Sequence, residues 1–313
     1  AEEARQAADA ADAAQARGDT LGPLHGVPLA HKDLFYRAGK VATCASEIRR
    51  TMTVDTTSTA VARLEAAGSI TVGALNMAEF AIGPTGHNPH WGHCRNPWDT
   101  DYISGGSSSG SGSAVGGRCV FGALGSDTGG SIRLPAHFCG VVGLKPTQTR
   151  ISRFGAMPVS FSMDCFGPLA RTPRDAARLM HVAAGYDARD PTSSRQPVPD
   201  YEAALTGDLK GLRVGVPLNH FYEPGIDADV ERVTRASLDA LVAAGAELVE
   251  ITVPDHKRLI DLGTMVTFVE AAVVHKQWMK ERPQDYSPQG LARLELGLGY
   301  PATAYLEALQ LRP

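Results

Sequence analysis

Cysteine is scarce in this sequence, with five residues among 313, and no two of them form a CxxC pair. They are Cys44, Cys94, Cys119, Cys139 and Cys165. Because their number is odd and their spacing matches no disulfide framework, we expect free thiols and a reducing cytoplasm as the compartment.

Long apolar runs and basic runs are also missing. Gly, Arg and Asp interrupt every hydrophobic stretch before it reaches the length of a membrane span, so no membrane partner is expected. The formal net charge is −4, which gives no electrostatic footprint for nucleic acid. Residues 1–17 lack the apolar core of a signal peptide and predict an Ala-rich helix ending at Gly18. Because the chain starts inside this helix without methionine, we expect its N-terminus to be truncated.

Helical and strand-like patterns alternate along the chain. A short apolar run at 26–30 predicts a strand that ends in the polar residues His31, Lys32 and Asp33. Helix–strand pairs are predicted at 57–67 with 69–73, at 111–118 with 119–125, and at 227–244 with 246–253. This alternation predicts an α/β fold in which helices cover a sheet.

A Gly/Ser-rich segment at 104–113 admits three interpretations. Its composition is typical of a flexible linker, although predicted core elements flank it directly. A phosphate-binding P-loop would need a lysine after the last glycine, and none occurs there. The third interpretation is a G-x-S-x-G motif at 106–110, as in an α/β-hydrolase-type serine esterase. Ser108 would then be the nucleophile, with Asp164 and either His181 or His220 completing the triad.

Two glycines directly precede Ser131 in a second glycine-rich stretch at 125–135. Such a pair lets the backbone turn so that several N–H groups point at one spot beside the serine hydroxyl. An acyl-transfer nucleophile needs that arrangement, because the carbonyl oxygen becomes negative in the transition state. Taken alone, the stretch is better interpreted as a tight turn in which Ser131 only caps a helix.

Several motifs in fixed order resemble the amidase signature family. They are GPLHGVP at 22–28, KD at 32–33, LNMAEF at 75–80, RNPWD at 95–99, GGSS at 105–108, GSDTGGSIR at 125–133, FCGVVGLKP at 138–146, SMD at 162–164 and GPLART at 167–172. The series is far more specific than any one motif in it. The resemblance implies an α/β/α fold with a twisted mixed central sheet covered by helices. It also implies a single domain over 1–313, truncated at both ends, with its signature core at about 20–185.

The resemblance further implies a Ser–Ser–Lys catalytic triad. Lys32 matches the family's catalytic lysine, Ser107 the bridging serine that follows a cis peptide, and Ser131 the nucleophile. We expect burial to lower the pKa of Lys32 from its ordinary value of about 10.4, so that the neutral amine draws a proton through Ser107. Ser131 then attacks the amide carbonyl, and water hydrolyses the resulting acyl-enzyme.

Residues around Ser131 are assigned supporting roles by the same resemblance. Backbone N–H groups of Thr128, Gly129 and Gly130, together with that of Ser131 itself, are expected to form the oxyanion hole. Asp127 and Arg133 are expected to brace the loop. The family implies no cofactor and no metal, and a small-molecule amide as substrate; a homodimer is left open.

Three positions depart from the family pattern. Members that release ammonia from glutamine for transfer-RNA amidation usually carry Gln where this chain has Leu134, so that role is not expected. His31 stands where an apolar residue is typical, and Ser109 where glycine is typical, so local packing is expected to differ. The sequence does not say which amide, ester or carbamate is cleaved. A catalytically silent amidase-like subunit that binds a partner stays an alternative, although all three triad residues are present.

Three histidines recur at every third position, followed by a cysteine, which resembles the spacing of metal ligands. They are His87, His90, His93 and Cys94. Pro89 and Gly92 would break any helix that could align the rings, so a polar loop near the substrate entrance is favoured over a metal site. The stretch at 270–280 is predicted to be a packed amphipathic helix rather than a cofactor site.

Overall fold

The computed structural model describes residues 1–221 and 225–312. The strands are β1 (Pro28–Lys32), β2 (Ile70–Leu75), β3 (Gly122–Asp127), β4 (Val142–Gly143), β5 (Cys165–Ala170), β6 (Arg213–Pro217) and β7 (Glu247–Ile251). The helices are α1 (Glu2–Arg17), α2 (Thr59–Ala66), α3 (Ser109–Gly116), α4 (Arg133–Phe138), α5 (Pro173–Ala183), α6 (Leu218–Phe221), α7 (Ala228–Ala243), α8 (His256–Glu281), α9 (Pro288–Gly299) and α10 (Ala302–Gln310).

The described chain divides into two compact units. One comprises Ala1–Glu202 with the chain from Met265 onwards, and the other comprises Ala203–Thr264. The first unit contains a five-stranded sheet, and the second contains the parallel pair β6–β7. The single domain expected over 1–313 stays a prediction.

The five-stranded sheet has the order β2-β1-β3-β5-β4. Strand β1 is parallel to both of its neighbours, β2 and β3, whereas β5 is antiparallel to β3 and β4. The predicted mixed sheet is therefore confirmed. Because β1 lies inside the sheet, the side chains at its carboxyl end meet those at the end of β3.

Apolar side chains from strands and helices form the core of the first unit. Leu29 of β1, Leu124 of β3 and Phe166 of β5 pack with Leu64 of α2 and Met180 of α5. The part of the chain after Met265 contributes to the same cluster through Ala271, Tyr286 and Leu294. Fully burying one such large side chain stabilises a fold by about 1.5–3 kcal/mol, so this cluster holds the sheet and its helices together.

Helix ends follow the sequence closely where capping residues are present. Gly18 ends α1 with a φ of 76°, and its N–H donates to the carbonyls of Ala14 and Gln15. Thr172 begins α5, because its side chain accepts a hydrogen bond from the Asp175 N–H and Pro173 occupies the first helical turn. Within residues 1–221 and 225–312, no helix combines the length and apolar character that a membrane crossing requires.

The Gly/Ser-rich segment is a buried structural element. Helix α3 begins at Ser109, and Ser109, Gly110, Ser111 and Gly112 are all buried. Small residues are needed here, since a Cβ at Gly110 would lie 2.6 Å from the Asn76 carbonyl oxygen. The interpretation as a flexible linker was therefore wrong, because the segment packs directly against the sheet.

Candidate active site

Lys32 lies at the carboxyl end of β1, and its side chain is completely buried. Its Nζ donates hydrogen bonds to Ser107 Oγ at 2.6 Å and to Ser126 Oγ at 2.8 Å. Ser126 is on β3, the parallel neighbour of β1. The amine is thus held between two hydroxyl groups, and it has no salt-bridge partner among the described residues.

Burial lowers the pKa of Lys32 from its ordinary 10.5 to about 7, while the charges of Asp164 and Asp127 act in the opposite direction. A charged amine loses its hydration when it is buried, and hydroxyl groups replace that hydration only in part. Near neutral pH a large fraction of Lys32 is therefore uncharged. An uncharged amine next to a hydroxyl can accept its proton, which is the chemistry of a general base.

Ser107 follows a cis peptide bond between Gly106 and Ser107, the conformation that the sequence resemblance implies. The residue is fully buried, and its carbonyl accepts a hydrogen bond from the Ala78 N–H at 3.2 Å. Its hydroxyl accepts the hydrogen bond from Lys32. The backbone and side chain of Ser107 are thus both held in place.

Ser131 lies in the turn between β3 and α4, next to the segment that carries Ser107. The two segments are joined by the N–H of Ser108, which donates to the Ser131 carbonyl at 3.2 Å. Ser131 is half-buried, and within the described part of the chain its hydroxyl makes no hydrogen bond. The hydroxyl is therefore available to an incoming molecule, and its direct link to Ser107 Oγ stays a prediction.

The backbone N–H groups around Ser131 differ in whether they have an acceptor within the protein. The Gly130 N–H donates to Asp127 Oδ1 at 2.7 Å, so it is already engaged within the protein. In residues 1–221 and 225–312, the N–H groups of Thr128, Gly129 and Ser131 have no acceptor. These three N–H groups are the donors of the turn that have no partner among the described residues, and their role as an oxyanion hole stays a prediction.

Asp127 and Arg133 contact each other across the turn that carries Ser131. Arg133 donates from Nε to Asp127 Oδ2 at 3.0 Å and from Nη2 to Oδ1 at 2.9 Å, a bidentate pair. Asp127 also accepts from the Ile132 N–H at 3.1 Å. Burial acts to raise the pKa of Asp127, but the hydrogen bonds and charge of Arg133, with the backbone donors, hold it below its ordinary value. The carboxylate therefore stays charged and fixes the loop.

One residue and one side-chain contact of the site were missed by the sequence analysis. Ser126 is the second acceptor for Lys32, and Thr128 donates from Oγ1 to Asp164 Oδ1 at 2.5 Å. The signal for Ser126 was present, since the ends of neighbouring parallel strands meet at one edge of a sheet. Using this signal requires knowing that β1 pairs with β3, because Lys32 and Ser126 are 94 positions apart in the sequence.

The structure does not support Ser108 as a nucleophile. Its side chain is fully buried, donating to the Ser126 carbonyl at 3.1 Å and accepting from the Ser126 N–H at 3.2 Å. Asp164 is occupied by Thr128 and two backbone N–H groups, and His181 contacts the Pro199 carbonyl at 3.1 Å. His220 belongs to the other compact unit. The α/β-hydrolase triad of the alternative interpretation is therefore not assembled around Ser108.

The histidines of the 87–93 segment contact other partners. His87 Nδ1 lies 2.8 Å from Thr85 Oγ1, His93 Nδ1 accepts from the Asn88 N–H at 3.1 Å, and His90 Nε2 lies 3.2 Å from Glu79 Oε1. Across the part of the chain that is described, no three His, Cys, Asp or Glu side chains are grouped to hold a metal ion. The geometry gives no support to the metal-site alternative.

The three departures from the family pattern are accommodated locally. His31 is buried between Thr71 Oγ1 at 3.5 Å and the Leu124 N–H at 3.4 Å, and burial lowers its pKa to about 3. It is therefore a neutral packing residue next to Lys32. Ser109 donates to the Ser107 carbonyl at 3.4 Å, and the Leu134 side chain lies beside Gly130.

Comparison with known proteins finds similar sequences over most of the chain. A profile of the Amidase family matches residues 1–296. One subunit of the glutamyl-tRNA(Gln) amidotransferase of Roseiflexus sp. (strain RS-1) is 46% identical over 272 residues, covering 87% of this chain and 55% of that protein. This chain therefore spans about half the length of that relative.

Two solved structures resemble this fold closely. A chain from a vestigial protein complex that reveals the evolutionary origins of an s-triazine catabolic enzyme has a TM-score of 0.92 and 39% identity, covering 99% of this chain and 67% of that one. The peptide amidase of Stenotrophomonas maltophilia has a TM-score of 0.84 and 29% identity, covering 98% of this chain and 69% of that one.

Proposed function

Since this chain belongs to the amidase signature family, we propose that it hydrolyses the C–N bond of a small amide with Ser131 as nucleophile and Lys32 as base. The observation that carries the proposal is the Lys32 side chain. It is completely buried, faces two hydroxyl groups at 2.6 and 2.8 Å, and has its pKa lowered to about 7 by burial. A buried lysine of purely structural use would ordinarily be paired with a carboxylate.

The proposed reaction begins with two proton transfers. Neutral Lys32 accepts the proton of Ser107 Oγ as Ser107 accepts the proton of Ser131 Oγ. Ser131 Oγ forms a bond to the amide carbonyl carbon, and the carbonyl oxygen becomes negative. The N–H groups of Thr128, Gly129 and Ser131 donate to that oxygen.

Collapse of the tetrahedral intermediate breaks the C–N bond. Ser107 returns a proton to the leaving nitrogen and is itself reprotonated by Lys32, so an amine leaves and an acyl group stays on Ser131. A water molecule then attacks the acyl carbonyl, with the same serine and lysine accepting its proton. The bond between Ser131 Oγ and the acyl carbon then breaks, and Ser131 Oγ takes back a proton from Lys32 through Ser107. The cycle ends with a free carboxylic acid, a protonated Ser131 hydroxyl and neutral Lys32.

The proposal is tested by trapping the acyl group. The protein is incubated with a panel of small aliphatic and aryl amides, quenched in acid, digested and analysed by mass spectrometry. We expect the acyl mass on the peptide that contains Ser131. Ser108→Ala is the matched control, since it removes the neighbouring serine of the alternative interpretation and should leave the adduct on Ser131. An adduct on Ser108 would overturn the assignment.

A second candidate function is supported by the curated relatives. Because the chain is 46% identical to one subunit of a glutamyl-tRNA(Gln) amidotransferase, it is a candidate for the amide-cleaving subunit of such an assembly. Leu134, beside Gly130 of the loop, argues against glutamine as substrate, because it offers no polar group to an amide side chain. Ammonia release from glutamine, measured alongside the amide panel, separates the two functions.

A catalytically silent subunit is the remaining alternative. A fluorophosphonate probe labels an activated serine regardless of the natural substrate, so labelling of Ser131 distinguishes an enzyme from a silent subunit. We expect labelling at that residue, and an intact folded protein that takes up no probe would favour the silent subunit.

A further inference from the structure

The carboxyl group of Glu270 is buried and fully hydrogen-bonded, yet the proposed reaction does not use it. Glu270 lies on α8 with 1% of its surface exposed. Its Oε2 accepts from Ser160 Oγ at 2.5 Å and from the Ser162 N–H at 3.0 Å. Its Oε1 accepts from Ser162 Oγ at 2.6 Å and from the Tyr305 hydroxyl at 2.9 Å. Three of these four bonds go to one short turn at 160–164.

That turn is closed around a second buried carboxyl group. Asp164 Oδ2 accepts from the N–H groups of Val159 at 2.9 Å and Ser160 at 3.1 Å, and the Asp164 N–H donates to the Ser160 carbonyl at 3.0 Å. Ser160 therefore contacts Glu270 through its side chain and Asp164 through its backbone. A displacement of Ser160 moves Asp164 with it.

Asp164 connects the turn to the oxyanion donors. Its Oδ1 accepts from Thr128 Oγ1 at 2.5 Å, and the Thr128 N–H is one of the donors without an acceptor among the described residues. Burial raises the pKa of Asp164, against its hydrogen bonds to Thr128, Val159 and Ser160. The contacts run without interruption from Glu270 through Ser160 and Asp164 to Thr128.

We propose that Glu270 is a positioning residue, which fixes the 160–164 turn so that Asp164 holds the Thr128 N–H at the oxyanion. The inference rests on the proposed function, because it assigns Glu270 a role in that reaction. A donor aimed at the oxyanion acts in the transition state and not in ground-state binding. Loss of Glu270 should therefore lower the rate constant of the chemical step and leave substrate or probe affinity almost unchanged.

The experiment measures covalent labelling of Ser131 by a fluorophosphonate, whose phosphoryl oxygen takes the place of the oxyanion. The rate constant of labelling at saturation, kinact, and the half-saturating concentration, KI, are determined separately. Complete loss of one oxyanion donor costs about 100- to 1000-fold in rate. Since Glu270→Ala displaces a donor without deleting it, we expect kinact to fall about tenfold and KI to change less than twofold.

Further variants show whether Glu270 acts through its hydrogen bonds to the turn or through its negative charge. Glu270→Gln keeps the shape, and the hydroxyls of Ser162 and Tyr305 can rotate to accept from its amide, so kinact should stay within about threefold of the wild type. Tyr305→Phe removes the one bond that does not reach the turn, and should leave kinact within about twofold. Ser160→Ala, which keeps Glu270, should lower kinact in the same direction as Glu270→Ala. It serves as the test if Glu270→Ala does not fold.

A double-mutant cycle tests the route to Thr128. Thr128→Val removes the hydroxyl bonded to Asp164 and keeps the side-chain shape. If Glu270 acts through Thr128, Glu270→Ala should change kinact by less than about twofold in the Thr128→Val background.

Asp187→Ala is the control for losing a buried carboxyl group, since Asp187 accepts hydrogen bonds from Thr59 and Ser152 instead. It should lower thermal stability and leave kinact unchanged.

The outcomes distinguish this inference from the proposed function. A wild type that is not labelled at Ser131 overturns the proposed function itself. A labelled wild type with unchanged kinact in folded Glu270→Ala, or in Ser160→Ala if that variant does not fold, overturns the inference alone. Additive effects in the cycle, or a Glu270→Gln variant as slow as Glu270→Ala, also contradict it.

Discussion

The two sides of the candidate site differ in their exposure to solvent. On the lysine side, Lys32, Ser107 and Ser126 are all buried, and each is held by hydrogen bonds within the protein. On the loop side, Ser131 is half-buried and Gly129 is exposed. Lys32 and the two hydroxyls that it contacts are thus kept from water, whereas Ser131 and Gly129 are accessible to solvent. Substitutions on the two sides should therefore affect activity and stability differently.

The largest effect is expected on the loop side, from Ser131→Ala. Without the nucleophile no acyl-enzyme forms, so kcat should fall by at least about a thousandfold. Stability should change by less than about 0.5 kcal/mol, because the hydroxyl is half-exposed and makes no hydrogen bond among the described residues. Steady-state hydrolysis and thermal unfolding measure the two quantities. Retention of a tenth of the activity would contradict the assignment.

The next largest effect is expected on the lysine side, from Lys32→Met. Removing a general base costs about 100- to 10,000-fold in rate. In the wild type, kcat/KM should rise with pH and level off above about 7, since only the neutral amine accepts the proton. The residual activity of the variant should lack this limb. Measuring kcat/KM of both proteins from pH 5 to 9 tests the loss of rate and the loss of pH dependence. If kcat/KM of the variant still rises with pH as in the wild type, a group other than Lys32 causes that rise.

The same variant should also change the pH dependence of stability. In the unfolded chain the lysine keeps its ordinary pKa of 10.5, whereas in the folded chain the value is about 7. Between these values the unfolded state binds one more proton, so the unfolding free energy of the wild type rises by about 1.4 kcal/mol per pH unit relative to Lys32→Met. Urea unfolding of both proteins at pH 7, 8 and 9 measures this. If the unfolding free energies of the two proteins change equally with pH, Lys32 is charged in the folded protein.

The smallest effect is expected from Ser126→Ala, which keeps both Lys32 and Ser107. The Ser126 hydroxyl accepts a hydrogen bond from Lys32, and an acceptor stabilises the charged amine more than the neutral one. Its loss should shift the rising limb of the pH profile to lower pH and reduce kcat about threefold to tenfold, since Lys32 is less well oriented. A shift to higher pH would contradict the role of Ser126 as an acceptor.

Much of the regular structure could be predicted from local patterns. The helices near 57–67 and 227–244, and the strands that follow them, lie within one or two residues of their predicted bounds. Strand β3 is the exception, because it continues through Ser126 and Asp127, which polarity had placed outside the strand. Burial of these two polar side chains is possible because Lys32 donates a hydrogen bond to Ser126 and Arg133 donates to Asp127. Partners contributed by other elements are not visible in a local sequence pattern.

The site could be predicted only as far as its motifs reached. Lys32, Ser107 and Ser131 were predicted from the family resemblance, and the structure places Lys32 in contact with Ser107. The stretch at 270–280 was predicted to be a packed helix, which is confirmed, but nothing in it indicated the contacts of Glu270 with Ser160 and Ser162. Those contacts join residues more than 100 positions apart, so only the folded chain brings them together.

The pair of hydrogen bonds between Ser108 and Ser126 has a consequence for engineering this protein. Ser108 contacts both the N–H and the carbonyl of Ser126, and Ser107 directly precedes it. Ser108 thereby joins the segment that carries Ser107 to the strand that carries Ser126, the two residues whose hydroxyls accept from Lys32. We expect Ser108→Ala to shift the pH dependence of hydrolysis, because the variant lacks the side chain that joins the two segments around Lys32.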